Sequence, residues 1–125
     1  MVVDDEARSL ELSDEEVDRI FRALADATRR DIVRRTLVVP ASVSALAANY
    51  DMSFAAVQKH VAVLERAGLV TKDSRGRERL VSGNPAAIRR AQELLDSYEQ
   101  LWRARIGRLD DLFAADTGSA NSENH

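Results

Sequence analysis

A chain of 125 residues, 45% hydrophobic and 31% charged, with no cysteine, has length for one hydrophobic core but not for an elaborate active site as well. The missing cysteine excludes a disulfide framework, a thiolate nucleophile and a cysteine-ligated metal. No apolar run approaches the roughly 18–20 residues of a membrane span, and Met1 to Ser9 lacks the apolar stretch of a signal peptide, so a cytoplasmic protein with no membrane partner is expected.

The formal net charge of −3 is unevenly spread. Residues 1–20 carry eight acids and two bases, whereas residues 28–39 carry four arginines against Asp31. Residues 53–82 add six Lys and Arg against Glu65, Asp73 and Glu78. The middle of the chain is therefore locally cationic, and a polyanionic partner is compatible with the acidic total.

In chain order, residues 1–12 read as a tail. The first helix opens at Ser13, three residues before Glu16, a capping-box spacing. Val17, Ile20, Phe21 and Leu24 form its apolar face. A break near Ala25-Asp26 starts a second helix, with Ile32, Val33 and Leu37 expected inward and Pro40 as its stop. Ser42 caps a short third helix carrying Val43, Leu46 and Ala47. Asn49 to Met52 make a tight turn, and Ser53 caps a fourth helix from about Phe54 to Ala67, closed by Gly68. Leu69 to Lys72 and Arg79 to Val81 have strand composition, with Ser74 to Arg77 as the turn between them. Asn84-Pro85 starts a long last helix reaching Phe113, and residues 114–125 read as a second tail. The expected fold is mainly α with one small β-hairpin, in the order α-α-α-α-β-β-α, as a single domain over residues 13–113. Helices three and four are spaced as a helix-turn-helix requires.

On 100° steps, Val57, Val61 and Leu64 of the fourth helix cluster on one side, with Ala55, Lys59, Ala62 and Arg66 opposite and Gln58 beside them. Small residues at the start of such a face let a backbone enter a major groove roughly 12 Å wide. Gln58 then suits adenine and Lys59 suits guanine. An ordinary solvated helix face is the alternative for these residues taken alone. The hairpin shifts the balance, because Arg75 and Arg77 stand at its tip with Lys72 and Arg79 on its flanks. Guanidinium forks suit phosphate; the alternative is a charged turn that keeps an edge soluble.

Leu24 to Val33, with Asp26 and Thr28-Arg29-Arg30, resembles the opening "LADxTRRxIL" pattern of ArsR/SmtB-type regulators. Met52 to Val61 resembles that family's recognition helix. Leu64 to Val70 resembles its "LxxAGLV" exit, and Arg75-Gly76-Arg77 its wing turn. The resemblance spans roughly residues 17–113. It implies a homodimeric winged helix-turn-helix that binds double-stranded DNA at an inverted-repeat operator, usually as a repressor. Phosphate contacts would come from Ser42, from Arg29 or Arg30, and from Arg75, Arg77 and Arg79 of the wing. Base contacts would come from Ser53, Ala55, Ala56, Gln58 and Lys59. The family's first and last helices form the dimer interface, which here points to Val17 and Phe21 with Leu95, Tyr98, Trp102, Leu109 and Phe113. A wide apolar stripe at spacings of three and four on the last helix fits that role.

Two departures stand out. Family members often carry a polar residue where this chain has Phe54, which either touches a thymine methyl or packs on the neighbouring helix. The family's metal sensors use cysteines in the third helix or histidines in the last; this chain has two histidines in all, His60 and His125, and neither lies there. No metal and no other cofactor is expected, and His60 reads as a packing or orienting residue. Nor does the chain carry a nucleophile elbow, a glycine-rich phosphate loop or an HExxH pair, so it is not expected to be an enzyme. Two rival readings remain: a winged helix used for protein interaction alone, and a regulator governed by an organic ligand or a partner protein. No inducer is named by the sequence.

Overall fold

The computed structural model describes residues 13–123; the expected N-terminal tail and the last two residues lie outside that range. The elements are α1 (Asp14–Leu24), α2 (Ala27–Val38), α3 (Val43–Ala47), α4 (Phe54–Arg66), β1 (Val70–Arg75), β2 (Glu78–Gly83) and α5 (Pro85–Glu123). Four helices begin on a side-chain cap that accepts from the backbone N–H three residues on. These are Ser13 from Glu16 at 3.1 Å, Asp26 from Arg29 at 3.0 Å, Ser42 from Ala45 at 3.1 Å and Ser53 from Ala56 at 3.1 Å. Each bond satisfies an N–H that has no partner inside its helix.

The core joins Ile20 and Ala23 of α1, Ile32 and Val33 of α2, Leu46 of α3, and Val57, Val61 and Leu64 of α4. Val70 and Val81 close it from the hairpin, and Ala87 and Ala91 from the start of α5. Leu37 was expected among them but is 42% exposed, and Thr36 takes the buried place. On a helical wheel Thr36 falls between Ile32 and Val33, whereas Leu37 falls about 40° beyond Val33, at the edge of the face. The Thr36 hydroxyl donates to the Ile32 carbonyl at 2.8 Å, so its polarity is satisfied within its own helix.

β1 and β2 pair antiparallel from Val70↔Gly83 out to Arg75↔Glu78, a longer hairpin than its composition suggested. Only Gly76 and Arg77 remain as the loop. Gly76 has φ 64° and Arg77 a negative φ, the sign pattern of a type II′ turn. At the other end Ala41 pairs with Val81 through two main-chain bonds of 3.0 and 2.8 Å, giving the hairpin a third, one-residue edge.

The chain divides into two units, one ending at Ala91 and the other beginning at Gln92. Helix α5 runs on to Glu123, past Phe113, the end expected from the sequence. No proline follows Pro85 to stop it.

Candidate nucleic-acid interface

The stretch that positions α4 is held at both ends. At its C-terminus the Gly68 N–H donates to Glu65 O at 3.0 Å and the Leu69 N–H to Leu64 O at 3.0 Å, a Schellman pair that needs Gly68 at φ 75°. Leu64 and Leu69, the apolar partners of that motif, are both fully buried. Asn84 then locks the joint, donating through Nδ2 to Gly68 O at 2.9 Å and through its backbone N–H to Leu69 O at 2.9 Å. At the N-terminal side, the turn between α3 and α4 is tied to α2. The Tyr50 hydroxyl donates to Asp31 Oδ2 at 2.6 Å, and the Arg35 Nε–H donates to the same oxygen at 2.7 Å. Arg34 pairs with the other carboxylate oxygen.

These bonds shift both acids. The Tyr50 hydroxyl, then Arg35 and Arg34, hold the Asp31 carboxyl well below the usual carboxylate range. Burial, then the bond to Asp31, pushes the Tyr50 phenol up to about 12. The Asp26 carboxyl is also lowered, first by the Arg29 backbone N–H it caps. Asp31 pairs with Arg34 and Arg35 at helical spacings of three and four. The Tyr50 bond, across nineteen positions of sequence, had no local signal and was missed.

On α4 itself, Val57, Val61 and Leu64 are fully buried, while Ser53, Ala55, Gln58 and Lys59 are exposed and Ala56 is half-buried. The side chains of Gln58 and Lys59 make no hydrogen bond or ion pair among the described residues. Ser42, Phe54, Gln58, Lys72, Glu78 and Arg79 meet around a shallow groove of about 400 Å³. The structure thus brings the cap of α3, the outer side of α4 and the hairpin together.

The wing cations do not act as one block. Arg79 pairs opposite Ser74, on the face that carries Val70 and Val81, and reaches the groove. Arg75 pairs opposite Glu78 on the other face, and Arg77 sits in the turn. All three are exposed with no carboxylate partner among the described residues. Lys72 is half-buried, with Glu65 3.9 Å away.

Arg29 and Arg30 stand apart from this surface. The Arg29 Nε–H donates to Ala23 O at 2.7 Å and Nη2 to Arg22 O at 3.0 Å, and Arg30 Nη1 donates to Leu24 O at 2.8 Å. They satisfy the last carbonyls of α1 rather than stand ready for phosphate. His60 Nδ1 lies 3.3 Å from Arg29 Nη1, half-buried between α2 and α4. Among the described residues no group of three His, Asp or Glu is placed to hold a metal ion.

Of the residues expected at a dimer interface, Val17 is half-buried and Phe21 exposed on α1. Leu95, Tyr98, Trp102, Leu109 and Phe113 are all exposed on α5, Trp102 to 56%. Arg105 lies over the Trp102 ring, 5.6 Å from its centre.

Residues 19–73 match the family described as a helix-turn-helix domain. An HTH-type transcriptional regulator from Mycobacterium tuberculosis is 37% identical over 81 residues, which cover 65% of this chain and 76% of that protein. The crystal structure of an ArsR family transcriptional regulator is 32% identical with a TM-score of 0.69, covering 74% of this chain and 96% of that one. An ArsR-like transcriptional regulator from a Rhodococcus species is 28% identical with a TM-score of 0.71, covering 78% and 92%.

Proposed function

The chain belongs to the ArsR family of winged helix-turn-helix transcription regulators, and from that premise we propose that it is a homodimeric, metal-independent repressor of an inverted-repeat operator. One observation carries the docking. The exposed start of α4 and Arg79 of the hairpin share a groove with Ser42, so one approach of the duplex engages all three. Ala55 and Ala56 leave room for the major-groove edge, and Gln58 and Lys59, committed to nothing in the fold, reach base edges. Ser42 and Ser53 already accept from backbone N–H groups, which leaves each hydroxyl proton free to donate, Ser42 to phosphate and Ser53 in the base-reading set. Arg75, Arg77 and Arg79 add charge-assisted phosphate contacts.

The exposed apolar stripe of α5 supports assembly as a dimer, since so many large apolar side chains in water call for a cover. Two-fold symmetry then sets half-sites about 10–10.5 base pairs apart, or a multiple of that. Metal independence is supported by the ligand supply: no cysteine, and a single histidine, His60, apart from the one at the last position. A regulator of this kind works where the chromosome is, in the cytoplasm, and none of the described helices is long and apolar enough to cross a membrane.

The test is a titration of variants on selected and scrambled duplexes at several salt concentrations. Gln58→Ala should lose roughly 1–3 kcal/mol on its preferred base and relax selectivity there. Arg75→Ala, Arg77→Ala and Arg79→Ala should weaken binding to all sequences and flatten the salt slope by about 0.9 per lost contact in each subunit. Variants that all bind like the parent would refute the docking.

A further inference from the structure

We infer that Phe54 reads the C5 methyl group of a thymine in each half-site, an assignment that rests on the docking proposed above. Phe54 is the first residue of α4, directly after its cap Ser53. The other large apolar side chains on its side of the helix, Val57, Val61 and Leu64, are fully buried, yet Phe54 is 47% exposed. The fold therefore covers only about half of the residue. The rest lines the groove, beside Ser42, Val43, Gln58 and Arg79.

A phenyl ring has no hydrogen-bonding atom, so it recognises only an apolar feature. The major-groove edges of the four base-pair orientations present one such feature, the thymine methyl group. Ser53 and Ala55, the neighbours of Phe54 in sequence, are short and exposed and leave its approach to the groove open. Phe54 and Gln58 are one turn apart on the same side of α4, about 6 Å along the axis. Base pairs rise about 3.4 Å each along a strand, so the thymine lies within about two base pairs of the position read by Gln58. The aromatic ring is thus a specificity element beside the polar reader, and it discriminates thymine from cytosine without a hydrogen bond.

The experiment uses the full chain and an operator selected by it from genomic fragments. Each thymine of the half-sites is replaced singly by deoxyuridine, which deletes the methyl group and leaves base pairing unchanged. Covering one methyl group is worth about fourfold in affinity. The parent protein should lose about that factor at one thymine per half-site, within two base pairs of the position at which Gln58→Ala relaxes selectivity. Phe54→Ala, shown to be folded by circular dichroism and its melting temperature, should lose a similar factor on the natural operator and then ignore the deoxyuridine change. Phe54→Leu, which keeps an apolar tip, should retain part of the discrimination. If no thymine shows a methyl effect, or if Phe54→Ala feels it as strongly as the parent, Phe54 does not read DNA. A chain that selects no DNA at all overturns the docking as well, a result distinct from selective binding without methyl discrimination.

Discussion

The bond from Tyr50 to Asp31 makes the stability of the fold depend on pH at both ends of the scale. The Asp31 and Asp26 carboxyls are held below their ordinary range when folded. The stability they contribute is complete above about pH 4, the unfolded carboxylate value, and drains as pH falls through their folded values. The Tyr50 phenol is shifted the other way, to about 12. Its contribution is complete below about pH 10 and is lost as pH rises from there to 12. Tyr50→Phe should therefore cost about 1 kcal/mol near pH 7, a hydrogen bond to a charged group discounted for partial exposure. In thermal melts the gap to the parent should narrow both above about pH 10 and below about pH 3. A gap independent of pH would show that the loss is one of packing. Glu78 tests charge at the same scale, because it lines the groove with Lys72 and Arg79 and opposes a polyanion. Glu78→Gln should tighten DNA binding about two- to fivefold at low salt, less at high salt. Unchanged affinity in a gel-shift titration would place Glu78 away from the duplex.

Between α4 and α5 two glycines are needed for different reasons, and this separates two kinds of cost. At Gly68 a Cβ would meet nothing within 4 Å, but φ is 75°, so Gly68→Ala carries only backbone strain, about 1 kcal/mol. At Gly83 a Cβ would lie 2.8 Å from the Leu37 backbone nitrogen. Gly83→Ala must push β2 away from the end of α2, and about 2–3 kcal/mol is expected. Urea denaturation of both variants checks the order; equal losses would contradict the account. The two sites also show what was legible from sequence. Gly68 announced itself as the stop of a periodic helix, as did the serine caps and Pro85, because these are local features. The closeness of Gly83 to Leu37, the Ala41–Val81 bridge and the Tyr50–Asp31 bond join residues far apart in sequence, and no periodicity encodes them. At the candidate interface, residue types and spacing single out Gln58, Lys59 and the wing cations as candidates, and Gln58, Lys59, Arg75, Arg77 and Arg79 are exposed. The division of Arg75 and Arg79 between opposite hairpin faces depended on the register. Arg29 and Arg30 looked like free cations because sequence does not show that the end of α1 needs donors.

For the whole molecule, the exposed stripe of α5 and the cationic centre of the chain bear on the same outcome. A lone copy would present one reading helix and one wing, whereas a pair presents two of each to an inverted repeat, with the combined phosphate contacts raising affinity. Trp102→Ala combined with Leu109→Ala should weaken self-association by several kcal/mol, in the range of roughly 2–5 per large buried side chain. DNA affinity should fall in parallel, as followed by sedimentation and by titration on the same duplex. A parent chain that sediments as a monomer and still binds tightly would dismiss the dimer.

The joints around α4 combine main-chain bonds, Leu69 to Leu64, Asn84 to Leu69 and Ala41 with Val81, with the side-chain bonds of Tyr50 to Asp31 and Asn84 to Gly68. The outward residues Gln58 and Lys59 support none of these joints. In the docking proposed above, scaffold and preference are therefore separable under selection. Under the proposed docking, duplicated copies of such a gene could drift at positions 55, 58 and 59 toward new operators while folding as before, and a designer could randomise those positions without first restabilising the protein.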